Sequence, residues 1–354
     1  MDLGFERSGF DVVFANEIYK PFLKAYRYAR QNMGIKEPQF GYHEDDIKKL
    51  LGKKEGADLQ QKVLQARNGH QLVGFIGGPP CPDFSVGGKN RGRHGKNGIL
   101  SKVYVDLIVA QQPDFFLFEN VKGLWRTKTH RAFYEELKKK LSRAGYAFSE
   151  RLINSIEYGA PQDRDRIILV GFSKKTFGNG LTEKLNDFPW LKFVKYNRDD
   201  AFGRKWKETE PFKENSSRKA PEGIIEELTV EHWFKKNDVE NHPNAQHYFK
   251  PRAALVRFQS IPEGDDSKKS FKRLHRWRYS PTAAYGNNEV HIHPYKARRI
   301  TAAEALAIQS LPKSFVLSPD ITLSDQFKAV GNGVPFLAAK SVAATINNFI
   351  KSIL

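Results

Sequence analysis

The single cysteine of this 354-residue chain, Cys81, lies where a reactive thiol is expected. It follows Gly77 to Pro80, which in turn follows the apolar run Leu72–Ile76. Glycines let the backbone turn and admit a close neighbour, while prolines fix φ, so the thiol is predicted on a stiff turn after a strand. Ligands bind at this carboxyl edge of α/β sheets, and a thiol there could act as a nucleophile. The alternative is a buried structural cysteine.

Two further groups suited to chemistry follow other apolar runs. Glu119 comes directly after the run 114–118, where a carboxylate is placed for acid–base work. In the extended segment after Pro161, alternation puts Gln162, Arg164 and Arg166 on one face. Two arginines that face a cleft suit carbonyl or phosphate oxygens. Either group alone is weak evidence, since an arginine pair could equally belong to surface ion pairs.

Elements that could position these groups alternate along the first half of the chain. We predict strands over 11–15, 72–76, 114–118, 146–155 and 166–172, and helices over 19–33, 101–112 and 130–144. Short apolar strands separated by helices indicate an α/β fold with a doubly wound, mostly parallel sheet, and the last two strands could pair antiparallel at one end. Glu17 then lies just past the first strand, the usual place for an acidic partner of ribose hydroxyls.

The second half differs in character. Residues 173–290 lack periodicity and are broken by Gly, Pro, Asn and charged residues, which indicates an inserted loop-rich module. Basic and aromatic residues alternate over 268–278, a composition that suits phosphate and base contacts, although a solvated basic loop is the alternative. Helical signals return at Thr301, a predicted N-cap with Glu304 in capping-box position. We therefore predict three parts, 1–172, 173–290 and 291–354, the last returning to the first domain.

Composition limits the possible partners. The formal charge is +18, with 58 Lys and Arg against 40 Asp and Glu, and this excess favours a polyanionic partner over a merely soluble surface. No apolar run is long enough to span a membrane, and the N-terminal residues do not form a signal peptide. With one cysteine, these features predict a protein of a reducing cytoplasm. No metal site is expected.

Taken together and in this order, the motifs resemble those of the C5-cytosine-specific DNA methyltransferase family over nearly the whole chain. Pro79-Pro80-Cys81 is similar to the nucleophile motif, Glu119-Asn-Val to the acid motif, Gln162-x-Arg164-x-Arg166 to the arginine motif, Arg299–Glu304 with Gln309–Pro312 to the segment after the recognition module, and Gly331–Pro335 to the closing motif. Glu17-Ile18 and Asp46-Ile47 resemble the segments that hold the ribose and adenine of S-adenosylmethionine.

The resemblance implies a reaction and its residues. Cys81 would add to C6 of a flipped-out cytosine, so that C5 can take a methyl group from S-adenosylmethionine and leave S-adenosylhomocysteine. Glu119 would hold the proton at N3, and Arg164 and Arg166 would grip the base carbonyl. Implied cofactor contacts are Glu17, Ile18, Asp46, Ile47, Pro80, Leu100, Asn332 and Val334. Implied DNA contacts are Ser85, Lys89, Arg91, Arg93, Arg273, Arg276 and Arg278.

Partners and alternatives follow from the same resemblance. The expected substrate is double-stranded DNA, within a bacterial restriction–modification system that includes a cognate endonuclease. The glycine-rich basic segment Gly87–Gly98 is expected to close over the DNA backbone. RNA is the alternative acceptor, and the long module at 173–290 favours DNA because a large insert suits reading of the major groove.

One departure concerns the N-terminus. Met1 to Phe10 resembles the stretch that follows the family's first strand and its glycine-rich cofactor loop. We therefore expect weak cofactor binding by the chain as given, an exposed strand edge, and either a monomer or a chain completed by an upstream polypeptide. The alternative function is a non-catalytic DNA-binding relative. Pro82 and Asp45 are smaller departures, at positions where the family commonly has Gln and Gly.

Overall fold

The computed structural model describes residues 1–68, 71–80, 96–251, 254–285 and 289–354. Five of the residues proposed for chemistry or DNA contact lie outside these ranges: Cys81, Ser85, Lys89, Arg91 and Arg93. Their roles therefore stay predictions from the sequence.

A four-stranded sheet organises the first half of the molecule. Its strands are β3 (Gly74–Gly77), β4 (Phe115–Val121), β5 (Tyr146–Asn154) and β6 (Asp165–Ser173), in the spatial order β3-β4-β6-β5. β3 runs parallel to β4, whereas β6 is antiparallel to both β4 and β5. The sheet is thus mixed rather than mostly parallel, because a short connection turns the chain back from β5 into β6.

The first predicted strand is shorter than expected and belongs to a separate pair. Strand β1 covers only Ala15–Asn16 and runs parallel to β2 (Tyr42–His43). The run from Asp11 to Phe14 is not assigned to a strand, although the Val13 carbonyl accepts a hydrogen bond from the Phe40 amide. Among the described residues, β3 has a strand partner on one side only.

Helices cover both faces of the four-stranded sheet. The helices of the first half are α1 (Asp2–Glu6), α2 (Lys20–Asn32), α3 (Lys53–Ala66), α4 (Lys96–Gln111), α5 (Lys122–Arg126) and α6 (Lys128–Arg143), with a 3₁₀ helix at Ile47–Leu51 and another at Ser155–Tyr158. The predicted helices over 19–33, 101–112 and 130–144 correspond to α2, α4 and α6.

The side-chain alternation of β4 explains the layers. Phe116 and Phe118 pack with α4 and α6, whereas Phe115 and Leu117 pack with the C-terminal helix α14 (Phe336–Ile353) on the opposite face. Successive residues of a strand point to opposite faces, so an uninterrupted apolar run predicts a strand covered on both sides. The α/β architecture inferred from the sequence is therefore confirmed.

The second half consists of short helices joined by irregular segments. These helices are α7 (Lys174–Phe177), α8 (Leu181–Asn186), α9 (Arg198–Gly203), α10 (Val230–Lys236), α11 (Leu255–Ser260), α12 (Ala302–Ile308) and α13 (Leu323–Asn332), with a 3₁₀ helix at Glu226–Leu228. The capping box predicted for α12 is present, since Thr301 and Glu304 satisfy each other's backbone amides. None of the described helices combines the length and hydropathy of a membrane span.

Candidate active site

A buried ion pair lies where β4 and β6 run side by side. Arg166 Nε is 2.6 Å from Glu119 Oε1, and the two side chains are only 13% and 10% exposed. Glu119 stands opposite Ile168 in the antiparallel register, so Arg166, two residues earlier, is its diagonal neighbour. The long apolar run of β4 thus ends in a carboxylate that is held in place by a guanidinium. Such a carboxylate can exchange a proton or accept a hydrogen bond from a ring nitrogen.

The glycine–proline turn approaches this carboxylate closely. A Cβ atom at Gly78 would lie 2.6 Å from Glu119 Oε2, so only glycine lets the backbone pass here without moving the carboxylate. Gly78 follows β3 directly, and β3 and β4 are neighbours in parallel register. Cys81 is three residues further along, which limits its Cα to roughly 10 Å from that of Gly78. The described part of the motif and the ion pair therefore share one edge of the sheet.

The structure separates the two arginines of the arginine motif. Arg164 is buried and donates from Nη1 to the Ala283 carbonyl at 3.2 Å and from Nη2 to the Gly331 carbonyl at 2.8 Å. A base could reach it only if these hydrogen bonds were given up. The expected grip of Arg164 on the base carbonyl stays a prediction from the sequence. Arg166 alone of the pair contacts Glu119 in the structure.

On the opposite face of the segment that carries Arg164 and Arg166, two aspartates form a network of ion pairs and hydrogen bonds that was not predicted from the sequence. Asp165 accepts hydrogen bonds from Lys122 at 2.5 Å and from Arg198 at 2.7 Å. The Asn154 amide donates to both Asp163 and Asp165. The alternation that places Gln162, Arg164 and Arg166 together necessarily places these two aspartates opposite them, so the signal was present in the sequence.

The carboxyl ends of β1 and β2 bring together the residues expected at the cofactor. Because the two strands are parallel neighbours, Glu17 and Asp46 follow them at the same edge. Glu17 accepts a hydrogen bond from the Tyr19 amide, and burial raises the pKa of its carboxyl. Asp46 caps the 3₁₀ helix through the Lys48 amide. Ile18 lies between them in sequence and is 61% exposed.

This donor set fits the nucleoside part of S-adenosylmethionine. Each of these carboxylates retains unused lone pairs for hydroxyl or amino groups, and an exposed aliphatic side chain can cover one face of a planar ring. Ile47, by contrast, is half-buried against the Leu50 and Leu59 cluster.

The remaining cofactor candidates lie at several places. Pro80 and Asn332 are exposed, whereas Leu100 in α4 is half-buried. Val334 and Glu119 line the same small cavity. The closing motif therefore meets the Glu119 side of the sheet.

Three arginines proposed as DNA contacts form hydrogen bonds within the protein. Arg273 is fully buried and donates to the carbonyls of Ile261, His293 and Phe258. Arg276 is buried against Glu263. Arg278 is partly buried and bonds the Gly264 carbonyl and Asp266. Arg273 and Arg276 are thus buried in the structure, and their expected contact with DNA stays a prediction. Because the described part of this module has no named strand after Ser173, guanidinium groups satisfy backbone carbonyls there. A sequence pattern cannot reveal which side of a loop is buried.

Two solved structures share this fold over nearly their whole length. A DNA modification methyltransferase encoded within an Escherichia coli prophage matches with a TM-score of 0.61 and 22% identity, covering 99% of this chain and 95% of that one. The Dnmt2 methyltransferase of Schizosaccharomyces pombe matches with a TM-score of 0.58 and 14% identity, covering 100% and 95%. These likenesses show that the chain has an α/β fold also found in solved methyltransferase structures.

The family is shown by the sequence comparisons. The model of the C-5 cytosine-specific DNA methylase family matches residues 1–348, so the chain belongs to this family. The Type II methyltransferase M.NmeDI of Neisseria meningitidis serogroup C is 55% identical over 352 residues, covering 99% of this chain and 82% of that protein. M.FnuDI of Fusobacterium nucleatum is 28% identical, covering 98% and 92%. The protein is a DNA (cytosine-5-)-methyltransferase that uses S-adenosylmethionine as methyl donor.

Proposed function

We propose that this enzyme is the methyltransferase of a Type II restriction–modification system and that Cys81, Glu119 and Arg166 carry out its reaction. The observation that carries the proposal is the buried Glu119–Arg166 pair beside Gly78, which lies three residues before Cys81 in the sequence. The M.NmeDI and M.FnuDI relatives, both described as Type II methyltransferases, support the biological role.

The nucleophile is the Cys81 thiolate. Its sulfur forms a bond to C6 of the cytosine, and the electron pair of the C5–C6 double bond moves so that C5 becomes nucleophilic. S-Adenosylmethionine supplies an electrophilic methyl group on its sulfonium. After C5 is methylated, loss of the C5 proton to a base and departure of the thiolate restore the double bond.

Glu119 and Arg166 act on the ring while charge develops. With its proton on N3 of the base, Glu119 offsets the negative charge that thiolate addition brings to the ring. Arg166 keeps the carboxylate oriented and has further N–H donors for the base carbonyl. Because both side chains are nearly shielded from water, these interactions are stronger than they would be at the surface. The cytosine must leave the duplex to reach them, which implies base flipping.

Cofactor and DNA would be held by different parts of the chain. We assign Glu17 to the ribose hydroxyls, Ile18 to one face of the adenine and Asp46 to the adenine amino group. Residues 173–290 would hold the duplex, helped by the net charge of +18 and by the basic segment that includes Lys89, Arg91 and Arg93. An endonuclease of the same specificity would be a functional partner, and the enzyme would act in the cytoplasm.

Transfer of labelled methyl groups to mixed-sequence duplex DNA tests the assignment of Cys81. The wild-type chain and Cys81→Ser are assayed side by side, with structured RNA as a second acceptor. We expect transfer to duplex DNA that disappears in the Cys81→Ser protein, since a serine hydroxyl is a far weaker nucleophile at neutral pH. Undiminished transfer by Cys81→Ser would exclude Cys81 as the nucleophile. Preferential transfer to RNA would exclude duplex DNA as the principal substrate.

Protection of DNA tests the biological role. Plasmid modified in vitro is sequenced after bisulfite conversion, which gives the methylated site, and is then challenged with an endonuclease that cuts that site. We expect a single short sequence motif and resistance to cleavage. Methylation scattered over unrelated cytosines would contradict a restriction–modification role.

A further inference from the structure

The segment before β6 is hydrogen-bonded to residues of the predicted recognition module. The Asp163 amide donates to the Ser280 carbonyl at 2.9 Å, and the Ser280 amide donates to the Pro161 carbonyl at 2.8 Å. Gln162 adds a side-chain contact, because its Oε1 accepts from the Ala283 amide at 3.0 Å. Ser280 to Tyr285, here called the recognition strap, therefore runs along the segment that leads into β6 and carries the start of the arginine motif.

Arg164 joins this strap to a third piece of chain. Its Nη1 donates to Ala283 in the strap, and its Nη2 donates to Gly331 at the end of α13. Gly331 itself touches the strap, because a Cβ atom there would lie 2.9 Å from the Tyr285 amide nitrogen. One guanidinium thus fixes three backbone segments that are far apart in sequence.

Burial of the Arg164 guanidinium costs free energy of folding. Arg164 is buried with no carboxylate among its hydrogen-bond partners, and its Nε has no partner in the structure. Burial and the neighbouring Arg166 lower the pKa of Arg164. A buried charge without a hydrogen-bonded opposite charge destabilises a fold unless its other hydrogen bonds compensate. A neutral residue at this position would therefore give a more stable fold. The cost indicates a role beyond holding the fold.

The geometry points to a positioning role: we propose that Arg164 holds the recognition strap and the Gly331 turn in register with Arg166, two residues away on the same face of the strand. A duplex held by the module would then present its flipped base where Glu119 and Arg166 meet. The inference rests on the proposed function of that pair. Arg164 is not assigned contact with the base.

The main test is Arg164→Lys in the full chain. Lysine keeps the charge but cannot donate in two fixed directions to both carbonyls. We expect kcat at saturating DNA and cofactor to fall by about 10- to 100-fold, because misplacement of catalytic groups by about 1 Å has costs of this size. The KM for duplex DNA should change by less than about threefold.

Thr282→Val is the matched control. It removes one exposed hydrogen bond of the same strap, from Thr282 Oγ1 to the Asp163 carbonyl, and leaves Arg164 intact. Its kcat should stay within about twofold of wild type. Far-ultraviolet circular dichroism at the assay temperature verifies that each variant is folded.

Gly331→Ala provides a second test of the contact between Arg164, the strap and Gly331, in case Arg164→Lys does not fold. Its added methyl group pushes on Tyr285 and should lower kcat without a matching rise in KM for DNA. The proposal is overturned if folded Arg164→Lys keeps wild-type kcat, or if its entire loss lies in DNA affinity or thermal stability. Failure of the proposed function is distinguishable, since Cys81→Ser would then retain transfer in the same assay.

Discussion

Arg276 and Glu263 form a two-pronged ion pair inside the irregular second half of the molecule, with Nε–Oε1 at 2.8 Å and Nη2–Oε2 at 2.9 Å. The two side chains are only 3% and 1% exposed. Arg276 also donates to Ser216 and lies over the ring of Tyr295. Pairs of this kind hold together a region whose described residues form only isolated β-bridges.

Glu263→Gln should therefore destabilise the protein strongly. Removing one charge of a buried pair leaves the other uncompensated, at a cost of about 3–5 kcal/mol in the free energy of unfolding. Urea unfolding followed by tryptophan fluorescence measures the loss. Glu227→Gln is the control, because the Lys195–Glu227 pair is half exposed and should contribute little. Equal effects of the two substitutions would contradict the structural role of the Arg276–Glu263 pair.

Glu119→Gln should abolish most of the activity of the folded protein, and it should also lower stability because it leaves buried Arg166 without its opposite charge. Glutamine has the same shape but cannot hold the transferable proton, and loss of such a group costs about 10²- to 10⁴-fold in rate. The measurement is kcat for methyl transfer to duplex DNA, with Glu135→Gln, a partly exposed helix residue, as the control. Wild-type kcat in the Glu119→Gln protein would remove Glu119 from the reaction.

Glu17→Gln should weaken cofactor binding selectively. An amide is a poorer acceptor for two hydroxyl groups than a carboxylate, so the Kd for S-adenosylmethionine should rise by about tenfold. Isothermal titration calorimetry measures this value, and gel-shift titration of duplex DNA should show no change. If the Kd for DNA rises and that for the cofactor does not, the ribose assignment of Glu17 is wrong.

Acid should destabilise the protein through its buried histidines. Burial lowers the pKa of His291 to about 3 and also lowers the pKa of His293, His275 and His242. Above the unfolded pKa of about 6.5, such a histidine is neutral in both states and does not oppose folding. As the pH falls from there toward the folded pKa, the unfolded state takes up a proton that the folded state does not, so the free energy of unfolding falls.

The expected result is a urea midpoint that is constant from pH 7 to 8 and falls steadily below about 6.5. His291→Gln should make the fall shallower, because one group that takes up a proton on unfolding has been removed. An unchanged pH dependence in this variant would show that His291 does not contribute to acid sensitivity.

Much of this protein could be predicted from sequence because its signals are local. The apolar run before Glu119 predicts a strand covered on both faces, and that strand is β4. Thr301 with Glu304 predicts the start of α12, and the capping box is there. The order of the motifs indicated the family, which the comparison over residues 1–348 confirms.

The sequence alone thus determined the α/β class, the position of most elements and the kind of chemistry. Only the tertiary structure decided which of the two alternating arginines pairs with Glu119. It also decided which one donates hydrogen bonds to backbone carbonyls of distant segments. It also decided that Arg273 and Arg276 lie inside the module. Alternation fixes the face on which a side chain lies, whereas the partners of Arg164 come from chain that is 119 and 167 residues away and folds onto that face.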